Sequence, residues 1–375
     1  MEGENMHKLS IKALKPGMVI GRSIYNPEGC FLLTRGQVLT ITYIQRLTRL
    51  NIPSVYVLSG NPILDISPET DDIVKEKTRT HALQNVFAVF NNCQLTESIN
   101  VDFMKQTASS IVEDLISNHN NLIQVTDIRR YDDYTFSHSV NVAILSTMLG
   151  TMRNYTKSQL NILTLGALLH DIGKTKTPIE ILKKPRKLVP FEEEIMRRHP
   201  LKGAEILERA SLASDIPIYI AQQHHEKWDG TGYPHQLQGE EINEFAKIVA
   251  IADVYDALTS DRPYKKAYRP DLAFNIMTKF NASHFDANLL KLFFDNVAIY
   301  PVGTILKLNE GSYAIVVHVQ TGRTQTPIVH IIADKNMKPF KNPKRVDLYQ
   351  NRDLQIELVL DEYELMGIFS AFNRI

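Results

Sequence analysis

The chain has 375 residues, 43% hydrophobic and 22% charged, with 42 lysines plus arginines against 42 aspartates plus glutamates. That length predicts two or three domains and buries a large core. The balanced charge leaves no global field to draw a nucleic acid polymer or an anionic membrane, so a nucleotide partner needs a local basic patch.

Two cysteines, Cys30 and Cys93, match no metal spacing and read as free thiols in a reducing compartment. Met1 to Ser10 lacks the apolar core of a secretory signal. No run approaches the ~20 apolar residues of a membrane span, and the chain reads as cytoplasmic. Residues 1–60 read as a small α/β module. Met18 to Ile20, Ser23 to Tyr25 and Phe31 to Leu33 are strand-like, around a turn at Asn26-Pro27-Glu28-Gly29. Thr40 caps a helix carrying Ile41, Ile44 and Leu47, Pro53 ends it, and Val55 to Leu58 closes the unit.

Residues 61–122 read as linker and helical segment. Gly60, Pro62, Pro68 and the acidic Glu69, Asp71 and Asp72 have linker composition. Leu83, Val86, Phe87 and Phe90, then Met104, Ala108, Ile111, Val112 and Leu115, recur at helical spacing. Such stripes fit a core; a homodimer seam through residues 76–118 is the sharper alternative. Residues 123–300 are mostly helical in pattern. One helix starts near Asp133 to Ser137 and runs to Gly150; the next has Thr156 and Gln159 in capping-box spacing. Its apolar run Leu163 to Leu169 delivers His170 and Asp171. Pro190 and Glu192-Glu193-Glu194 suit a helix start, with the helix ending at His199-Pro200. Further helices run from Pro217 to His225, from Phe245 to Leu258, and over 270–281 and 286–297. Residues 301–375 read as a β-rich module with strands at Thr304 to Leu308, Ala314 to Val319 and Ile328 to Ile332. The fold class is mainly α: a helical bundle between a small N-terminal α/β module and a small C-terminal β module.

Seven residues of the helical part, from five separate stretches, can ligate metal: His138, His170, Asp171, His199, His224, His225 and Asp253. Imidazole with carboxylate suits iron, manganese or zinc, and lacks the thiolates of a structural zinc site. Taken singly, each has a plainer reading; His199, for one, fits a solvated helix end. Lys174 sits about one turn past His170 and can pair with phosphate oxygens. Gly230 and Gly232 allow turns closed to other residues, and Tyr233 between them and Pro234 can offer a ring to a purine and a hydroxyl to a phosphate. Trp228 reads as packing, and Asp229 as holding the loop. Arg262 and Lys265 form a short basic patch suited to phosphate or guanine contacts. No serine or cysteine sits in an activated setting.

The run His170-Asp171-Ile172-Gly173-Lys174 resembles the HD phosphohydrolase superfamily. The cluster His224 to Pro234, with its Gly232-Tyr233-Pro234, is similar to the HD-GYP branch, whose members hydrolyse cyclic di-GMP. The resemblance covers residues 123 to 300. It also rests on Tyr134 to Ser139, His199-Pro200, Ala252 to Ala257 and Thr259 to Tyr264. It implies an HD-type bundle with two divalent cations, iron or manganese, bridged by Asp171. His138, His170 and Asp253 fall on one side, and His199, His224 and His225 on the other. Some members hold a third metal with a glutamate four residues before the first histidine; here that position is Tyr134, so two metals are expected. The resemblance also implies that Asp256 recognises guanine, and that Lys184, Arg186 and Lys187 belong to a loop near the site. Similar modules to residues 1–60 precede some HD-GYP domains, which implies a regulatory role or a signalling-protein partner.

The expected function is a metal-dependent phosphodiesterase. A metal-bridging hydroxide attacks phosphorus and opens cyclic di-GMP to pGpG, with GMP as a further product. The alternatives are another cyclic dinucleotide such as 3′,3′-cGAMP, a non-hydrolytic cyclic-dinucleotide receptor or interaction module, and a nucleotide phosphohydrolase of the wider superfamily.

Overall fold

The structure, a computed structural model, describes residues 7–21, 23–25, 31–50, 52, 54–58, 64, 73–118, 134–182, 184, 186–210, 212–260 and 267–372. The turn at 26–29, Cys30, most of the 59–72 linker, and Arg262 and Lys265 lie outside the described residues. The backbone divides into two compact units. One combines Met1–Asp71, Leu122–Val125 and Asp295–Ile375; the other combines Asp72–Asn121 and Thr126–Phe294.

The first unit begins with strands β1 (His7–Ser10), β2 (Val19–Ile20), β3 (Ile24–Tyr25) and β4 (Phe31–Leu33), helix α1 (Ile41–Arg49) and strand β5 (Ser54–Leu58). β5 lies between β1 and β2 and is antiparallel to both, with Leu9 opposite Val55 and Ile20 opposite Val57. Its alternation puts Val55 and Val57 into a core with Leu9, Ile20, Leu39 and Leu47. Thr40 Oγ1 caps α1 by accepting from Tyr43 N at 3.2 Å, as its sequence predicts. β1 is a strand that periodicity does not announce. His7-Lys8-Leu9-Ser10 carries a single apolar side chain, and its pairing with β5 decides its state.

The second unit is helical: α2 (Glu76–Thr96), α3 (Val101–Ser117), α4 (Tyr134–Met152), α5 (Lys157–Leu169), a short 3-10 turn (Ile172–Lys176), α6 (Ile179–Leu182), α7 (Pro190–Met196), α8 (His199–Arg209), α9 (Ile216–Gln223), α10 (Glu244–Thr259), α11 (Pro270–Lys279), α12 (Asn281–His284) and α13 (Ala287–Asn296). α4, α5 and α10 are apolar round most of their circumference and form its centre, as helices buried on all sides do. α5 packs against α3, α4 and α9, and α10 against α4 and α9. The capping box at Thr156 and Gln159 forms as expected. The stripes on α2 and α3 are buried within this unit, from Val86 and Phe90 to Met104, Ile111 and Leu115, with Phe87 the exposed exception, because α2 lies on α4 and α3 on α5.

One boundary differs from expectation. The helix from Pro190 stops at Met196, and His199 opens α8 instead of closing α7. Pro200 explains this: proline breaks a helix interior but fits its first turn. The 3-10 turn presses on α8 at Gly173. A Cβ built there would lie 2.0 Å from the His199 carbonyl oxygen and 2.4 Å from Gly203 N.

The remainder of the first unit holds β6 (Ile305–Leu308), β7 (Tyr313–His318), β8 (Ile328–Ala333), β9 (Pro339–Asp347), β10 (Ile356–Val359) and helix α14 (Glu362–Phe372). These strands form an antiparallel sheet in the order β10-β6-β7-β8-β9. Leu64 joins Ile315, Ile332, Ile368 and Phe372 in one of its cores, and Met366 packs against the N-terminal core. Among the described residues no helix is long and apolar enough to cross a membrane.

Candidate metal centre

Helix ends deliver the ligands. His170 caps the C-terminus of α5, His224 caps that of α9, His199 opens α8, and His138 lies in the second turn of α4. At three of these ends a free carbonyl takes up the imidazole Nδ1. His170 Nδ1 donates to Ala167 O at 2.7 Å, His199 Nδ1 to Met196 O at 2.7 Å, and His224 Nδ1 to Ala221 O at 3.0 Å. His138 Nδ1 donates to Asp256 Oδ2 at 2.7 Å. Carbonyls and carboxylates only accept, so each Nδ1 carries the hydrogen. In the neutral imidazole this leaves Nε2 with its lone pair, the form in which histidine binds metal.

The four Nε2 atoms converge on Asp171. Its Oδ1 lies 3.3 Å from His199 Nε2 and 3.8 Å from His224 Nε2; its Oδ2 lies 3.4 Å from His170 Nε2 and 3.8 Å from His138 Nε2. One carboxylate oxygen therefore faces each pair of imidazoles. Asp171, His199, His224 and His225 form one group whose ligand atoms all lie within 4.8 Å, and His138, His170 and Asp171 form a second. Asp253 stands beside both: Oδ1 is 3.0 Å from His138 Nε2, and Oδ2 is 3.8 Å from His225 Nδ1.

These residues fit a pair of cations. His170 Nε2 and Asp171 Oδ1 are buried and make no hydrogen bond among the described residues, an arrangement that protein interiors rarely tolerate without an ion or water. His199 Nε2 and His224 Nε2 are 3.4 Å apart, two lone pairs facing each other. Burial lowers the His224 and His225 pKa values, His225 to about 3, so both imidazoles are neutral and open to a cation at neutral pH. Burial also works against charge on His138. Asp253 and Asp256 outweigh it and hold His138 at about 9, which marks that end of the site as attractive to positive charge. Burial pushes the Asp171 carboxyl up, but Lys174 and the neighbouring imidazoles overcome it and hold it well below the ordinary range. The Lys174 ammonium pairs directly with Asp171 Oδ2.

A model of an HD domain matches residues 110–289, and a model of a KOW domain associated with HD domains matches residues 305–367. A cyclic di-GMP phosphodiesterase of Pseudomonas aeruginosa is 31% identical over 310 residues, which cover 80% of this chain and 75% of that protein. The chain belongs to the HD domain family. A cyclic di-GMP phosphodiesterase of Vibrio cholerae is 43% identical over 144 residues, covering 37% of this chain and 29% of that protein. A 3′3′-cGAMP-specific phosphodiesterase of the same organism is 33% identical over 215 residues, covering 57% of this chain and 38% of that protein.

The Gly-Tyr-Pro loop itself packs against the ligands. The Tyr233 ring stacks on the His225 imidazole, with centroids 4.8 Å apart, and the Arg197 guanidinium lies 5.0 Å from the same ring. Burial raises the Tyr233 phenol pKa. One face of the ring is thus engaged with the His225 imidazole. A Cβ on Gly232 would lie 2.4 Å from Lys227 N, so the loop closes on itself there. Asp229 accepts from Thr231 N at 2.9 Å and Thr231 Oγ1 at 2.6 Å, holding the loop as its sequence context suggests. Lys247 Nζ lies 5.2 Å from the Trp228 ring.

One expected substrate contact and two residues of the expected loop have partners within the helical unit. Asp256 is fully buried, with both oxygens engaged by His138, Asn141 and Ser260. The Asp256 carboxylate, expected as a guanine contact, orients His138 Nδ1 inside the bundle. Lys184 and Arg186 both pair with Glu192. Arg197, Asn141 and Glu226 were not singled out from sequence. Arg197 carries no distinguishing signal. Nor does Asn141, one of several polar residues on α4. Glu226 is buried and accepts from His235 N at 2.6 Å and Leu237 N at 3.2 Å, stapling the chain after Pro234.

Proposed function

We propose that the chain is a metal-dependent phosphodiesterase that opens cyclic di-GMP to pGpG. The observation that carries this is Asp171, whose two oxygens each face a separate pair of imidazole Nε2 atoms. His138, His170 and Asp253 hold one cation and His199, His224 and His225 the other, with Asp171 shared. Iron and manganese both suit such ligands. Two cations bound there neutralise phosphate charge and lower the pKa of a water. Tyr134 stands where a third cation would require glutamate, which favours two.

The chain's own groups do the rest. Asp171 remains ionised at neutral pH and keeps the Lys174 ammonium at the site. Lys174 binds the phosphate oxygens. His225 stays unprotonated, backed by the Tyr233 ring. Arg262 and Lys265 contact the phosphates or guanine. Residues 1–60 are the regulatory or interaction module. Any homodimer through residues 76–118 uses the outward Phe87, Leu95, Phe103 and Ile116 and not the buried stripe.

A second reading takes 3′,3′-cGAMP as substrate, favoured by the 33% identity to an enzyme specific for it. Incubating metal-loaded protein with each dinucleotide tests both. Formation of pGpG, lost in Asp171→Ala, supports the main reading. Turnover confined to 3′,3′-cGAMP favours the second, and binding of either without turnover overturns both in favour of a receptor.

A further inference from the structure

Behind His138 runs a line of buried polar groups that leaves the metal centre and ends on another helix. His138 Nδ1 donates to Asp256 Oδ2 at 2.7 Å. The other oxygen of Asp256 accepts from Asn141 Nδ2 at 2.9 Å and from Ser260 Oγ at 2.9 Å. Asn141 Oδ1 in turn accepts from Arg79 Nη1 at 3.5 Å. Arg79 is 1% exposed, Asn141 4%, Asp256 0% and His138 3%.

The chemistry of this line has one direction. A guanidinium only donates and a carboxylate only accepts. The Asn141 amide between them must therefore turn its oxygen to Arg79 and its nitrogen to Asp256. Asp256, held from behind, then takes the Nδ1 hydrogen of His138 and turns Nε2 toward Asp171 and Asp253. A buried guanidinium is costly unless charge and hydrogen bonds answer it, and Arg79 stands one amide away from the Asp256 carboxylate. Arg79 sits on α2, outside the residues matched by the HD domain model. α2 also packs against the Ile172–Lys176 turn that follows Asp171, where Cys93 Sγ lies 3.7 Å from Thr175 Oγ1.

We propose that Arg79 is a positioning residue for the metal centre: acting through Asn141 and Asp256, it fixes the tautomer and ring orientation of His138. α2 thereby sets the affinity of the cation held by His138, His170 and Asp171. The proposal rests on the metal-dependent reading above. Partners one step behind a ligand histidine commonly change metal affinity by about 10- to 100-fold when removed, and Arg79 acts two steps further back along a continuous hydrogen-bonded line.

The test is calorimetric titration of the full chain, stripped of metal, with Mn2+ alone. The wild type is compared with Arg79→Met, Arg79→Lys and Asp256→Asn, and with the visible spectra of the Co2+-loaded proteins. The expected result is weakening of one of two Mn2+ sites by about tenfold in Arg79→Met, with the second site within about threefold of wild type. Arg79→Lys, which keeps the charge, should restore most of the loss, and Asp256→Asn should weaken the same site and shift the same Co2+ band. Should Arg79→Met fail to fold, Arg79→Lys and Asp256→Asn decide by the same criterion: a shared, selective weakening supports the relay. Two unchanged sites in the folded Arg79 variants, or equal weakening of both, overturn it. A wild-type chain that takes up no Mn2+ overturns the metal-dependent reading itself, and the relay with it.

Discussion

The Tyr233 ring lies on the His225 imidazole with its plane tilted by 24° and its centroid 4.8 Å away. That stack gives the Gly-Tyr-Pro loop a direct hold on a ligand histidine. Aromatic pairs of this kind contribute about 1 kcal/mol beyond burial, or about fivefold in an equilibrium. Tyr233→Ala should weaken metal binding on the His225 side by about that factor, while Tyr233→Phe keeps the ring and binds metal normally. Metal titration of both variants checks this. If Tyr233→Phe lost as much as Tyr233→Ala, the hydroxyl and not the stack would be the working part.

Gly173 is where the turn after Asp171 meets α8. An added Cβ would collide with the His199 carbonyl oxygen and Gly203 N, backbone atoms that cannot rotate away. Gly173→Ala must push α8 outward, and His199 moves with it. Overpacking of this kind costs about 1–3 kcal/mol. The expected outcome is a lower urea midpoint together with loss of metal, read by denaturation and metal analysis. A Gly173→Ala protein with wild-type stability and metal content would contradict the close approach.

Much of this site could be read from the chain before its fold was known. His170-Asp171 ends an apolar helix and His224-His225 ends another, and an apolar helix terminating in ionisable pairs has few explanations other than ligation. Asp256 could not be read the same way. Its spacing three residues after Asp253 suggests one shared face, but its decisive partner, His138, is 118 residues away in sequence. Tertiary proximity, which no local pattern encodes, puts this carboxylate behind His138. The β elements show the same division. β5 alternates and is legible, whereas β1 and β9 are polar. β9 runs Pro339-Phe340-Lys341-Asn342-Pro343-Lys344-Arg345-Val346-Asp347 at the sheet edge, where lysine and proline are tolerated and blur the strand signal.

Arg153 at the end of α4 forms a two-pronged pair with Glu244 at the start of α10, through Nε at 3.2 Å and Nη2 at 2.7 Å. These are the helices that carry His138 and Asp253. Burial pushes the Glu244 carboxyl up, but Arg153 and Tyr155 outweigh it and lower the pKa below the ordinary value. A carboxylate lowered in the folded state adds stability above its unfolded pKa and loses it as pH falls through the folded one. Both side chains are more than a third exposed, so solvent screening limits the pair to about 0–1 kcal/mol. Arg153→Met should cost up to that at neutral pH and low salt. The cost should shrink in high salt and vanish in acid, as compared by urea unfolding against wild type.

Lys174 pairs with Asp171 and with no second carboxylate among the described residues. If it binds phosphate as charge builds, Lys174→Met should lower kcat by about 100-fold and leave both metals in place. Steady-state kinetics with metal analysis distinguishes this from a structural role, in which metal content would fall alongside activity.

The shared position of Asp171 between two imidazole pairs is the centre of this account, and metal content per chain in wild type and Asp171→Ala, measured beside cyclic di-GMP hydrolysis, tests it most directly. The account predicts two metals and pGpG from the wild type, and loss of at least one metal and of turnover from Asp171→Ala. A folded Asp171→Ala chain that keeps two metals and still opens the ring would contradict it.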